Sequence, residues 1–223
     1  QDFTPPVTQT TVTITGINTQ EDSEKVTFEV ALSEKPKGGS ATAVINVNGE
    51  DYSVAIGKDG KGTVEVPNPN TEDVYNDPTS LTATFQSVIG GGYSQVVAGT
   101  STPAQITDTI DPTTASITLA QSDNDVLVTV SLDNPPAEDQ PATVHFTVNG
   151  EEHTVTIPAG ETSVDVPLNN LIGNNAYGDP TTVTAEVTSV EGGNFEATSN
   201  GLSVSQDFTP PVTQTTVTIT GIN

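Results

Sequence analysis

The 223-residue sequence has no Cys, no Met, no Trp and no Arg. Without Cys there is no disulfide, no thiolate nucleophile and no zinc–thiolate site. Positive charge is scarce: Lys and Arg total 5 against 29 Asp and Glu, for a net charge of −24. The lysines are Lys25, Lys35, Lys37, Lys58 and Lys61, so no fixed cation follows residue 61. A phosphate backbone needs cationic partners, so nucleic acid and anionic membrane surfaces are not expected partners, and no direct membrane insertion is expected. Aromatics make up 4% of the chain, too few for an extended sugar platform. No apolar run reaches the length of about 18 residues that a membrane helix needs. With no Met and with Gln1 opening in mid-pattern, the sequence reads as a piece of a longer protein.

What the chain does have is Thr and Val, 38 and 27 residues, punctuated by 19 Gly and 16 Pro. That share of β-branched residues predicts an all-β chain. An apolar content of 32% with high negative charge leans toward disorder. The apolar residues alternate, however, as in Val26/Phe28/Val30, Ile45/Val47 and Val54/Ile56, and alternation marks strands with one buried face.

Residues 1–18 recur without change at 206–223. Inside that period lies a diverged second copy. Val47-Asn48-Gly49-Glu50-Asp51 returns as Val148-Asn149-Gly150-Glu151-Glu152, and Tyr75-Asn76-Asp77-Pro78-Thr79 as Tyr177-Gly178-Asp179-Pro180-Thr181. Ser87–Tyr93 returns as Ser189–Phe195. The repeating unit is therefore about 100 residues, with domains expected over 1–104 and 105–205. Residues 206–223 are then the first strand of a further, incomplete domain. That strand alone has nothing against which to bury Val217 and Ile219, and pairing with another copy of the chain is one outlet for it.

In the first unit seven strands are expected, near 10–16, 24–32, 41–47, 52–57, 62–66, 79–88 and 93–100. Asn48-Gly49 and Asn149-Gly150 are hairpin turns, because Asn-Gly accepts the positive φ such turns require. Seven short strands in about 100 residues predict an immunoglobulin-like (cadherin-like) β-sandwich. An odd number of antiparallel strands brings the chain in at one end, here the proximal end, and out at the other, the distal end. Such domains join head to tail through short linkers.

The same strand order sorts the loops. In unit 1 the distal loops hold Glu21, Asp22, Glu50, Asp51, Glu72, Asp73 and Asp77, and the connection Gln105–Pro112 adds Asp108 and Asp111. In unit 2 the distal loops hold Asp123, Asp125, Glu151, Glu152, Asn175 and Asp179, leading to Asp207. Clustered carboxylates repel one another unless a cation joins them. Donor sets made only of oxygen suit Ca²⁺, with six to eight ligands. The candidate ligands are Glu72, Asp73, Asp77, Asp108 and Asp111, with Asn175, Asp179, Asp2 and Asp207 at the other junctions. Against this stands the plainer reading that the acids keep a repetitive β protein soluble.

Ile106-Thr107-Asp108-Thr109-Ile110-Asp111, the loop Asp73-Val74-Tyr75-Asn76-Asp77 and Gly192-Gly193-Asn194-Phe195-Glu196 resemble the extender repeats of large RTX-type, LapA-like bacterial adhesins. The resemblance covers both units. It implies tandem Ig-like domains, secreted to the surface of a Gram-negative cell, that project an adhesive tip and depend on Ca²⁺ for rigidity. It implies Asp108, Asp111, Asp73 and Asp77 as ligands. Unit 2 departs from the pattern, with Asn174-Asn175-Ala176 where unit 1 has Glu72-Asp73-Val74. The segments at Pro5-Pro6 and Pro210-Pro211 depart too, and paired prolines stiffen a linker without an ion.

Catalysis needs a convergent nucleophile, base or metal, and the histidines, His145 and His153, face each other only across one hairpin. The chain is therefore expected not to be an enzyme. A glycan- or protein-binding sandwich is the alternative to a spacer. Near-exact repetition favours the spacer, since a tip-binding site is usually singular.

Overall fold

The computed structural model describes residues 9–221. The chain divides into two compact units, Gln1–Asp73 with Asp77–Thr109, and Val74–Asn76 with Ile110–Asn223. Asp2 lies outside the described residues.

Unit 1 contains β1 (Gln9–Gly16), β2 (Thr19–Gln20), β3 (Lys25–Leu32), β4 (Ala41–Val47), β5 (Glu50–Ile56), β6 (Lys61–Pro67), β7 (Thr79–Leu81), β8 (Ala83–Gly90), β9 (Gln95–Thr102) and β10 (Ala104–Thr107). They form a sheet ordered β6-β3-β1-β9, a second ordered β5-β4-β8 and a small third one, β2-β10-β7. The alternation read from the sequence decides which face turns inward. Val26, Phe28, Val30 and Leu32 of β3 are buried in one cluster with Ala43, Ile45 and Val47 of β4, from the opposite sheet. Two sheets meeting over one apolar layer make an Ig-like sandwich.

Unit 2 repeats the plan with β11 (Pro112–Ser122), β12 (Asp125–Leu132), β13 (Ala142–Val148), β14 (Glu151–Ile157), β15 (Ser163–Leu168), β16 (Thr181–Gly192), β17 (Ala197–Asn200) and β18 (Val204–Phe208). Its sheets are β15-β12-β11-β17 and β14-β13-β16-β18. The expected hairpins have the expected backbone: Asn48 and Gly49 lie at φ 51° and 85°, Asn149 and Gly150 at 50° and 84°. First strands are parallel to their edge neighbours, β1 to β9 and β11 to β17, as an Ig-like chain path requires.

The connections carry more structure than the sequence indicates. The stretch read as a linker from Gln105 contains most of β10, which pairs with β7, and Ile106 is fully buried in the unit 1 core. Gly16 is needed here, since a Cβ on it would lie 2.1 Å from the Ala104 nitrogen. At the other end of the chain, Gln206-Asp207-Phe208 starts the exact repeat yet finishes β18, and Phe208 is 3% exposed in the unit 2 core. Val217 and Ile219, which match the buried Val12 and Ile14 of β1, are 80% and 90% exposed.

Candidate metal centre

At the distal end of unit 1 the loop after β2 is held by a single side chain. The Asn68 amide nitrogen donates to the carbonyls of Gln20, Glu21 and Ser23, at 3.3, 3.4 and 2.8 Å. The Glu21 amide in turn donates to the Thr107 carbonyl at 3.1 Å. This fastening turns the Glu21 side chain inward, where only 2% of the residue is exposed.

Around Glu21 the acidic residues converge. One carboxylate oxygen from each of Glu21, Asp73 and Asp77 lies within 4.8 Å of the other two. Glu21 Oε1 accepts the Thr109 amide at 3.0 Å, and the Thr109 hydroxyl donates to Glu72 Oε1 at 2.7 Å. Asp108 Oδ2 accepts the Asp77 amide at 3.1 Å, while Asp108 Oδ1 is buried with no hydrogen-bond partner. Burial, then the Glu21 and Asp77 carboxylates, push the Asp108 carboxyl above its usual range; the Asp77 amide works in the opposite direction.

The other candidates are placed differently. Asp111 is in unit 2, exposed, with its amide donating to Glu196 Oε2 at 2.7 Å. Asn175 Oδ1 accepts the amides of Tyr177 and Asp179 at 3.0 and 3.1 Å, so it shapes its own turn. Asp179 is exposed, and Asp207 accepts the Thr182 hydroxyl at 2.6 Å on the face of β18. Within unit 2 alone, the described residues form no group of three carboxylates. Glu21 was not among the candidate ligands; nothing in the sequence distinguishes a buried carboxylate from its exposed neighbours Asp22 and Glu24.

His145 and His153 line one cavity with Glu152 and Glu191, but among the described residues they join no group of three ligands. His153 stacks on Phe146 at 5.4 Å between ring centroids. His145 Nδ1 lies 3.2 Å from the Thr154 hydroxyl, and its Nε2 lies 3.8 Å from Glu191. Unit 2 also contains a tyrosine from the early part of the chain. Tyr75 stacks on Phe195 at 6.1 Å, and its hydroxyl donates to the Pro135 carbonyl at 2.8 Å.

The model of the LapA domain family matches the chain twice, over residues 8–109 and 111–220. No curated protein matches the sequence. Among solved structures, one similar chain comes from a 1.5-MDa bacterial ice-binding adhesin, described for host cell surface retention, with 14% identity and a TM-score of 0.33. The match covers 94% of this chain and 67% of that one. Another is a Ca²⁺-stabilised adhesin described as helping an Antarctic bacterium reach out and bind ice, with 17% identity and a TM-score of 0.25; 91% of this chain matches 49% of that one. A segment of two fibronectin type-III domains from chicken tenascin matches over 87% of this chain and 95% of its own, at 12% identity and a TM-score of 0.30.

Proposed function

The chain belongs to the LapA domain family, and on that footing we propose that it is an extender segment of a secreted bacterial adhesin, stiffened by Ca²⁺. The observation that carries the reading is the meeting of Glu21, Asp73 and Asp77 oxygens within 4.8 Å, beside a buried Asp108 oxygen with no hydrogen-bond partner. Every donor in the group is an oxygen, which fits a hard cation and not zinc or copper. Glu21, Asp73, Asp77 and Asp108 are the residues that hold the ion, with Glu72 beside them through Thr109. The ion supplies the positive charge that the chain lacks there and ties the loops after β2 and β6 to the segment after β10. On this reading Asn175, Asp179 and Asp207 belong to a weaker or ion-free junction.

The role of such a segment is length and stiffness: it displays a distal ligand-binding region away from a Gram-negative cell surface and binds no final target itself. Extracellular modules of this kind hold Ca²⁺ at roughly 10⁻⁴–10⁻³ M. Calorimetric titration with Ca²⁺, paired with small-angle scattering in Ca²⁺ and in chelator, tests the reading. Heat of binding in that range, a longer and narrower particle and a higher melting temperature are expected. Length and melting temperature that ignore chelator would sink it.

A further inference from the structure

We infer that the proximal end of unit 1 is a docking surface for the acidic distal end of unit 2 in a second copy of this chain, with lysine ammonium groups supplying the positive charge. The surface is built by three loops of unit 1: Ser33–Ser40, Gly57–Gly60 and Gly90–Ser94. The Lys37 amide donates to the Gly91 carbonyl at 3.0 Å, and the Leu32 amide to the Gly60 carbonyl at 2.8 Å. A Cβ built on Gly39 would lie 3.7 Å from Lys58 Cβ, so these loops touch. Together they present Lys35, Lys37 and Lys58 beside Glu34 and Asp59, all exposed, so three cations stand against two carboxylates on this end.

These lysines are unusual in this chain. Against 29 carboxylates, an isolated ammonium group has many available partners. Lys25 pairs with Glu65 at 3.4 Å and Lys61 with Glu29 at 3.6 Å. Lys35, Lys37 and Lys58, which sit together, make no ion pair among the described residues. Gly92 reinforces the arrangement, because a Cβ there would come within 3.2 Å of Lys37 Cδ, and the missing side chain leaves room for the lysine stem. The repeat puts Asn194 at that position in unit 2 and Ala137 at the position of Lys37.

The complementary surface is the distal end of unit 2. Asn124 donates to the Ile172 carbonyl at 2.8 Å, and Gln121 to the Thr209 carbonyl at 2.7 Å, which gathers the loops there. They expose Asp123, Asp179 and Asp207, and unit 2 contains no Lys or Arg to neutralise them. Tyr177 projects from the same loop, 88% exposed. Its repeat counterpart, Tyr75, is the tyrosine that stacks on Phe195 and reaches the Pro135 carbonyl at the proximal end of unit 2. At the matching place in unit 1 stands Tyr93, whose hydroxyl donates to the Glu34 carbonyl at 2.7 Å. The exact copy of β1 at 214–221 also puts the first strand of a unit 1-type sandwich directly after unit 2 in sequence. A contact between unlike ends is heterologous, so copies add one after another, into an open series or a ring according to the rotation between them.

Sedimentation velocity of the full chain over a concentration series, in chelator at low salt, tests the inference without involving Ca²⁺. Mass is expected to rise with concentration and to fall back to monomer near 1 M salt, where the Debye length is about 3 Å. The triple variant Lys35→Glu, Lys37→Glu, Lys58→Glu is expected to weaken association by roughly tenfold or more. Asp123→Lys with Asp179→Lys is expected to do the same, and mixing the two reversed proteins to restore association. Unchanged melting temperatures show that the variants fold. A chain that stays monomeric at every concentration, or association that survives the lysine reversal, overturns the inference. So does a failure of the mixed pair to recover, or lysine-dependent capture of a polyanionic glycan by a chain that does not self-associate. Failure here leaves Ca²⁺ binding at Glu21 untouched, and failure to bind Ca²⁺ leaves this result untouched.

Discussion

The proximal ends of the two units are built on the same backbone and carry opposite charge. In unit 1 the Lys37 amide donates to the Gly91 carbonyl at 3.0 Å; in unit 2 the Ala137 amide donates to the Gly193 carbonyl at the same distance. On that shared frame unit 1 places Lys35, Lys37 and Lys58 beside Glu34 and Asp59, whereas unit 2 places Asp133, Glu138, Asp139 and Glu161 with no lysine. The aromatic residue differs in the same way. Tyr93 satisfies the Glu34 carbonyl with its own hydroxyl, while Phe195 has none and the Pro135 carbonyl is met by Tyr75. Burial and the nearby Glu34 charge hold the Tyr93 phenol above its usual range. The difference teaches that the sandwich fixes where loops are, and leaves their charge free to specify what each end meets.

The comparison is broken most severely in the cores, which ought to be independent. Phe208→Ala is expected to cost unit 2 about 3–5 kcal/mol, the range for truncating a buried aromatic. The unit 1 transition should not move. Differential scanning calorimetry reads both, and a loss shared equally by the units would mean that residues 206–208 do not complete unit 2.

At the distal end of unit 1, Glu21→Gln should lower Ca²⁺ affinity by about tenfold or more, since it removes a charged donor at the centre of the group. The same variant should raise the melting temperature in chelator, because it relieves repulsion among Glu21, Asp73 and Asp77. An affinity unchanged in calorimetric titration would remove Glu21 from the site.

Asp108 gives a smaller effect with a definite sign. Its carboxyl titrates above the usual range in the folded chain, so the folded state binds the proton more readily than the unfolded state. Its ionised form therefore opposes folding; the penalty is full above the folded pKa and disappears as pH falls below the unfolded value near about 3.9. In chelator Asp108→Asn should raise the melting temperature at neutral pH and lose that advantage in acid. With Ca²⁺ present the substitution should be unfavourable at neutral pH. The smallest expected change is Tyr93→Phe, which gives unit 1 the aromatic residue of unit 2. Loss of its hydrogen bond to Glu34 should cost about 0.5–1.5 kcal/mol, seen as a slightly lower unit 1 transition in chemical denaturation.

Much of this architecture was legible in the residues. Alternation at Val26, Phe28 and Val30 identified β3 and its buried face, and Asn48-Gly49 identified a hairpin whose dihedrals are those the pair favours. Both signals are local, so they survive without knowledge of the rest of the chain. The loop acids Asp73, Asp77 and Asp108 were legible as a group because strand order assigns loops to ends. The central place of Glu21 was not legible, since it depends on Asn68, 47 residues away in sequence, holding the loop, and on the Glu21 amide reaching Thr107 of β10. Nor was the split of the exact repeat, whose first residues finish one sandwich and whose remainder copies the strand that opens another.

The sequence by itself determined an all-β chain of repeated sandwiches, the excess of negative charge and the absence of thiol and arginine chemistry. These follow from composition, period-2 alternation and turn residues, all of which act over a few positions. Tertiary structure alone decided which carboxylates come within 4.8 Å of one another, and which lysines sit together without an ion pair on one end. Both depend on loops far apart in sequence brought side by side by the sheets, and charge acts through distance in space.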